Sequence, residues 1–287
     1  MVTALFMTKM RSKIYQPYTS MHHTLKTNIL LILLLATQHA AHAQSMADID
    51  KRMSAMLDKI TYWAEYNGND DKISASDSLS DQDDKLSKYL EKVSLKYPQT
   101  IKAKFVQAAK SGLSIVTSDD HRVRFYSWDT HLGGTMRNYS DRVQYQTTKG
   151  IRFICLNCDT TKDEDYGEDY DGITTIHTQT NKTVYIVFGS SKLSTKDRAE
   201  IVEAWEIAGN ELQFANIFKA KTKNLSVIGY GYDMFASGDG DKDIPSIHLG
   251  KDNKRLYIPI VDGEKVTAKY LVYVWDGSQF VFDKDAH

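Results

Sequence analysis

The sequence predicts a mainly β protein: an antiparallel β domain of sandwich, barrel or propeller-like form, preceded by a small α-helical N-terminal segment. Three observations predict it. The spacing of apolar residues changes from a helical period to an alternating one after Gly112. Beyond that point turn residues punctuate the chain at about every eight to twelve positions. Two Asp-Gly pairs, Asp262-Gly263 and Asp276-Gly277, separate alternating apolar runs near the end, which is among the strongest short-range hairpin signals.

The elements follow in order. Lys26 precedes the apolar run "ILLILLLA" (Ile29 to Ala36), and Ala41-His42-Ala43 comes after it. A positive start, a short apolar core and a small-x-small end are the three parts of a secretory signal peptide. The run is well short of the roughly 20 apolar residues that cross a bilayer. Residues 1–43 are therefore read as a signal peptide, with Met21 as an alternative start that would leave 1–20 outside it. The protein is expected to be periplasmic or secreted, with no transmembrane segment in the mature chain. No Cys lies near the cut to carry a lipid.

Residues 44–112 form the predicted helical segment. Ile49, Met53, Met56, Leu57, Ile60 and Trp63 recur at three- and four-residue spacing, one face of an amphipathic helix from Met46 to Ala64. The polar run Asn67 to Asp84 is read as a mobile surface loop. Helical spacing resumes with Leu86, Tyr89, Leu90, Val93 and Tyr97 and stops at Pro98. A third short helix is expected from Thr100 to Lys110, with Ile101, Phe105 and Ala109 inward.

Residues 113–287 form the predicted β domain. "LSIVTSDDHRVRFYSWD", "RVQYQTTKGIRFICL" and "GITTIHTQTNKTVYIVFG" each read as strand, turn, strand. The stretch 197–208 offers two readings. Ser194 with Asp197 looks like a capping box opening a helix. Ile201, Glu203, Trp205 and Ile207 also make one strand face, with Gly209-Asn210 as the following turn. The neighbouring hairpins favour the strand.

Lys plus Arg total 36 and Asp plus Glu 37, so a formal net charge of -1 gives no pull toward nucleic acid. Cys155 and Cys158 are the only cysteines. Seven acids lie between Asp159 and Asp171 against the single base Lys162. Such negative charge raises a thiol pKa, and a zinc site would need further ligands. An exported chain with two cysteines is therefore expected to hold one structural disulfide.

No cofactor is expected. Calcium is the ion weighed, at Asp239, Asp241 and Asp243, which take positions one, three and five of an EF-hand-like count. That count then fails, with Ile244 where the glycine belongs and Gly250 where the glutamate belongs. Asp163, Asp165, Asp169 and Asp171 alternate in the same manner beside the cysteines. The chain has no G-x-S-x-G elbow, no phosphate-cradling loop and no paired histidine motif. The candidate ligand-contacting loop is "RFYSWDTHLGGTMR", where Trp128, Asp129, His131, Thr135 and Arg137 combine polar and aromatic groups around Gly133-Gly134.

The run from "SGLSIVTSDD" through "RFYSWDTHLGGTMR", with "YIVFGSSK" and "YLVYVWDGSQFVF", resembles uncharacterised exported proteins of Bacteroidetes-type bacteria. The resemblance implies export and a β-rich body, and no activity. The expected function is therefore non-catalytic binding of an envelope or extracellular ligand or protein. The alternative is a glycan hydrolase acting through paired carboxylates. Export carries a direct test: chain recovered from the envelope or medium should begin at Gln44 or its cyclised form. An intact mass that retains residues 22–43 in the mature soluble fraction would refute the signal-peptide reading.

Overall fold

The computed structural model describes residues 46–68, 74–158, 166–237 and 244–285, all within the unit Met46–His287. Helix α1 spans 46–64 and buries Ile49, Met53, Leu57 and Ile60, the stripe its spacing predicts. Helix α2 runs from Ala75 to Lys96, so residues 75–84 are helix and not the expected loop. Ser74 caps it by accepting from the Asp77 N–H at 3.1 Å. Asp81 and Asp84 pair with Lys85 and Lys88 one turn on, and Leu79 is buried. The polar composition concealed a helix whose exposed face is salt-bridged.

The expected helix from Thr100 to Lys110 is broken in two. A 3₁₀ turn covers Pro98–Lys102 and a short α3 covers Val106–Lys110. Ile101 and Phe105 are buried as expected, but Ala108 and not Ala109 faces inward. The start of α3 is fixed from α1: the Asp50 carboxylate accepts from the backbone N–H groups of Gln107 and Ala108, at 3.1 and 2.9 Å.

The strands, numbered along the chain, form three sheets. The first is β1 (Ser114–Thr117), β2 (Val123–Asp129), β3 (Tyr139–Thr147) and β4 (Gly150–Cys155), antiparallel and in sequence order. The second contains β5 (Asp169–His177), β6 (Thr183–Lys192), β7 (Asp197–Ala208) and β11 (Val227–Asp233), ordered β11-β7-β6-β5, with β8 (Glu211–Phe214) folded back on β7. The third joins β9 (Phe218–Lys219), β10 (Asn224–Leu225), β12 (His248–Leu249), β13 (Arg255–Asp262), β14 (Lys265–Trp275) and β15 (Phe280–Asp283). Its β15–β9 pair is parallel. One helical turn, α4, covers Met234–Ser237.

Alternation along the strands decides how these parts stack. On β2, Tyr126 and Trp128 enter a core with the helices, while Val123 and Phe125 enter one with Tyr185, Val187 and Trp205 of the second sheet. On β6, Val184 and Ile186 face the opposite way, into a third core with Phe218, Leu256, Ile258 and Phe280. The order is helices, first sheet, second sheet, third sheet. The second sheet has apolar cover on both faces, which is why Val184 through Val187 is buried without interruption. Residues 197–208 are strand for the same reason: Val202 and Ala204 pack one way and Trp205 the other.

Cys155 and Cys158 are disulfide-bonded with Cα atoms 5.6 Å apart. Between them, Asn157 donates to the Tyr139 carbonyl at 2.6 Å and accepts from the Asp141 N–H at 3.2 Å. The bridge therefore pins the end of β4 to β3. Replacing both cysteines with Ser should lower unfolding free energy by about 2 kcal/mol at most, the entropy of so short a loop. A loss well beyond that in denaturant titration would show that the bridge organises more than its own turn.

Candidate functional site

The register of the second sheet builds the site. On β6 and β7, Ser190 lies opposite Glu200 and Lys192 opposite Arg198. Strand β11 extends both rows, with Tyr230 opposite Glu200 and Tyr232 opposite Arg198. Residues two apart on a strand share a face, so these rows lie on the face that buries Val184, Ile186 and Val202 further along. Their separation is about 7 Å, two strand residues. Strand β11 comes this close because position 229 is glycine: a Cβ there would meet Ile201 Cγ2 at 2.8 Å and the Glu200 carbonyl at 2.9 Å.

Where the core gives way to polar residues, neighbouring segments close a cleft of about 510 Å³. The loop between β2 and β3 brings in Arg137, whose backbone N–H donates to the Lys192 carbonyl at 2.8 Å. A register shift in β5 between Tyr170 and Gly172 turns Asp171 into the wall. Ser246 and Ile247, ahead of β12, close another side. A second cavity, about 390 Å³, surrounds Glu203 between the first two sheets. There the Tyr170 hydroxyl and the Trp205 indole donate to the carboxylate at 3.2 and 2.9 Å, so Glu203 is held as a structural anchor.

The cleft holds charges of both signs. Arg137 is matched by Asp129, to which it is hydrogen-bonded. Arg198 donates from Nη1 to the Ser194 and Asp197 carbonyls at 2.9 and 3.0 Å. Among the described residues neither Lys192 nor Arg198 has a carboxylate within ion-pair distance. Like charges directly opposed across strands are destabilising, so this pair costs the sheet stability.

Glu200 accepts from the Ile247 N–H at 2.8 Å. Burial pushes its pKa up; the Ile247 and Tyr230 hydrogen bonds oppose that, and the charge of Asp171 adds to it. Burial and then Asp169 push Asp171 up. Asp171 meets solvent on one side, so its shift is the weaker guide. Burial, reinforced by nearby Asp169, takes the Tyr139 phenol to about 12.

The residues singled out from sequence divide here. Arg137 lines the cleft. Asp129 accepts from the His131 N–H at 2.8 Å, and His131 Nδ1 is 3.3 Å from Arg137 Nη1, so both stand behind Arg137. Gly134 has φ 65°, and a side chain at Gly133 would collide with the Met136 carbonyl; the loop that carries Arg137 needs both glycines. Thr135 is exposed on that loop. Trp128 is 1% exposed, donates to Asp83 at 2.8 Å and belongs to the helical core, away from the cleft.

Asp239, Asp241 and Asp243 lie outside the described residues, as do Asp163 and Asp165. Among the described residues no group of three His, Cys, Asp or Glu side chains is placed to hold a metal ion. Sequence reasoning missed Lys192, Arg198 and Glu200, and it weighed Asp171 only as one of a row of acids beside the cysteines. The signal for two of them was the "KLSTKDR" turn, which sets Lys192 against Arg198 once the hairpin is recognised. Compared with protein-family models, curated proteins and solved structures, the chain finds no match in any of the three.

The raised pKa of Glu200 gives a pH test. The folded state holds its proton more tightly than the unfolded chain, so this group's contribution to stability falls as pH rises through the window above the ordinary carboxylate range. Glu200→Gln can keep its acceptor role toward Ile247 without the charge. It should match the parent in acid and become the more stable protein toward neutral pH in denaturant titrations. A variant equally destabilised at every pH would contradict the electrostatic account.

Proposed function

We propose that this protein is exported and is a non-catalytic binding protein, which holds a small polar ligand in this cleft and anchors an anionic group of it on Lys192 and Arg198. The observation that carries the reading is the like-charge pair. Two cations directly opposed on a strand ladder, without a carboxylate partner among the described residues, lower stability and supply charge for a ligand that brings its own anion. The cleft volume is that of a small-molecule site. Export rests on the segment from Lys26 to Ala43.

The hydrolase reading keeps one supporting observation. Asp171 and Glu200 line the same cleft, both shifted upward, and the charge of one acts on the other, as paired catalytic carboxyls do. The binding reading stands ahead because Lys192 and Arg198 line the same cleft and supply charge for an anion, whereas hydrolysis through paired carboxyls uses neither cation.

Lys192→Glu separates the readings. It converts the opposed cations into a cross-strand ion pair with Arg198, which should raise stability by about 0.2–1 kcal/mol. Any amino acid, peptide or acidic sugar that raises the melting temperature of the parent should lose that effect on this variant. Shifts that persist undiminished would remove the cations from the site. Release of reducing sugar from glycan, lost in both Asp171→Asn and Glu200→Gln, would establish hydrolysis instead.

A further inference from the structure

The charge arrangement in the cleft narrows the ligand class, an inference that rests on the binding reading above. With Arg137 matched by Asp129, two charges of each sign remain on the wall among the described residues: Lys192 and Arg198 against Glu200 and Asp171. A purely anionic ligand would gain from one pair and be repelled by the other. The two signs are also sorted in space. Glu200 sits in one row of the ladder and Lys192 with Arg198 in the next, about 7 Å apart along the strands, and Asp171 comes from β5, on the far side of β6 from β7.

We propose that the ligand is zwitterionic, with an ammonium group at Glu200 and Asp171 and a carboxylate at Lys192 and Arg198, and that a dipeptide fits the spacing. An extended chain advances at most about 3.3–3.6 Å per residue, so two residues span the rows from amino to carboxyl terminus. The Arg198 guanidinium, held in place by the Ser194 and Asp197 carbonyls, presents its remaining N–H groups as a planar fork suited to a carboxylate. At the other end, an ammonium between Glu200 and Asp171 relieves the repulsion of two carboxylates that have no cation within ion-pair distance among the described residues. Burial raises both carboxyls, and the charge of Asp171 adds to the rise at Glu200.

The test is calorimetric titration of the mature chain with four probes: L-alanyl-L-alanine, its N-acetyl derivative, its C-terminal amide and galacturonate. The free dipeptide should bind, and masking either terminus should weaken binding at least tenfold. Arg198→Gln and Glu200→Gln should each weaken the dipeptide by a similar factor. Glu200→Gln should leave the N-acetyl derivative unchanged, because that probe has no ammonium to lose. Melting curves check that each variant folds, with Lys192→Gln as a second cation variant should Arg198→Gln fail. Galacturonate or N-acetyl-dialanine binding as tightly as the free dipeptide, through Arg198, would overturn the zwitterion while leaving the binding reading intact. No binding of the dipeptide overturns the inference outright. Binding of every probe unchanged by Arg198→Gln would remove the binding reading itself.

Discussion

The register between β6 and β7 is the constraint on which the rest of the molecule depends. Both strands are covered on both faces, so a slip of one residue would exchange Val202 and Ala204 with Glu203 and Trp205 between two different cores. Glu203 would then lose the Tyr170 hydroxyl and carry its charge into an apolar core, which is among the costliest errors in a fold. The same register sets Lys192 against Arg198 and Ser190 against Glu200. The apolar cores thus fix, several residues away, which charges meet in the cleft.

The helical layer acts on the site at one remove. The first sheet turns a polar row toward the helices: Arg124, Tyr126 and Trp128 on β2, with Ser140, Arg142 and Gln144 on β3. Each polar group there finds a partner. Arg124 donates to the Ala103 carbonyl at 2.6 Å, Arg142 to the Ser87 hydroxyl at 2.8 Å, and Gln144 to the Thr100 hydroxyl at 2.8 Å. Asp83 on α2 accepts from both Trp128 and Ser140 at 2.8 Å. These two residues sit immediately beside the ends of the loop that carries Arg137. A satisfied network of this kind holds a unique arrangement, so α2 fixes the base of the loop and Asp129 fixes its cation.

Periodicity made much of this visible in the sequence. Helix α1, the hairpins and the β7 strand follow from spacing and turn residues because each has a side committed to a core. The start of α2 was hidden because its first turns bury little beyond Leu79 and owe their order to Ser74 and to i,i+4 ion pairs. The break at Phe105, where φ is 29°, was hidden because its cause is Asp50, distant in sequence, capping α3. The site was half visible. Arg137, Asp129 and His131 belong to a loop whose glycines marked it. Lys192, Arg198 and Glu200 carry no local motif, since their meaning arises only when two strands are laid side by side. Trp128 was misleading because an indole in a strand reads the same whether it faces a ligand or a core.

A consistent fold satisfies its rules nearly everywhere, and the places where it breaks them are informative. Among the described residues, several departures lie together at one end of the second sheet: two opposed cations, two carboxyls raised by burial without a cation within ion-pair distance, and a glycine that lets a third strand press against them. Any one of these would be an ordinary local cost. Together the charges oppose stability within a single cleft, and each of them could be replaced by a substitution outside the apolar cores. Selection for stability alone has no reason to keep them. On the proposed reading, a ligand that brings the opposite charges gives such a reason, because binding stabilises the folded state. The features that cost stability and the proposed site are then one arrangement.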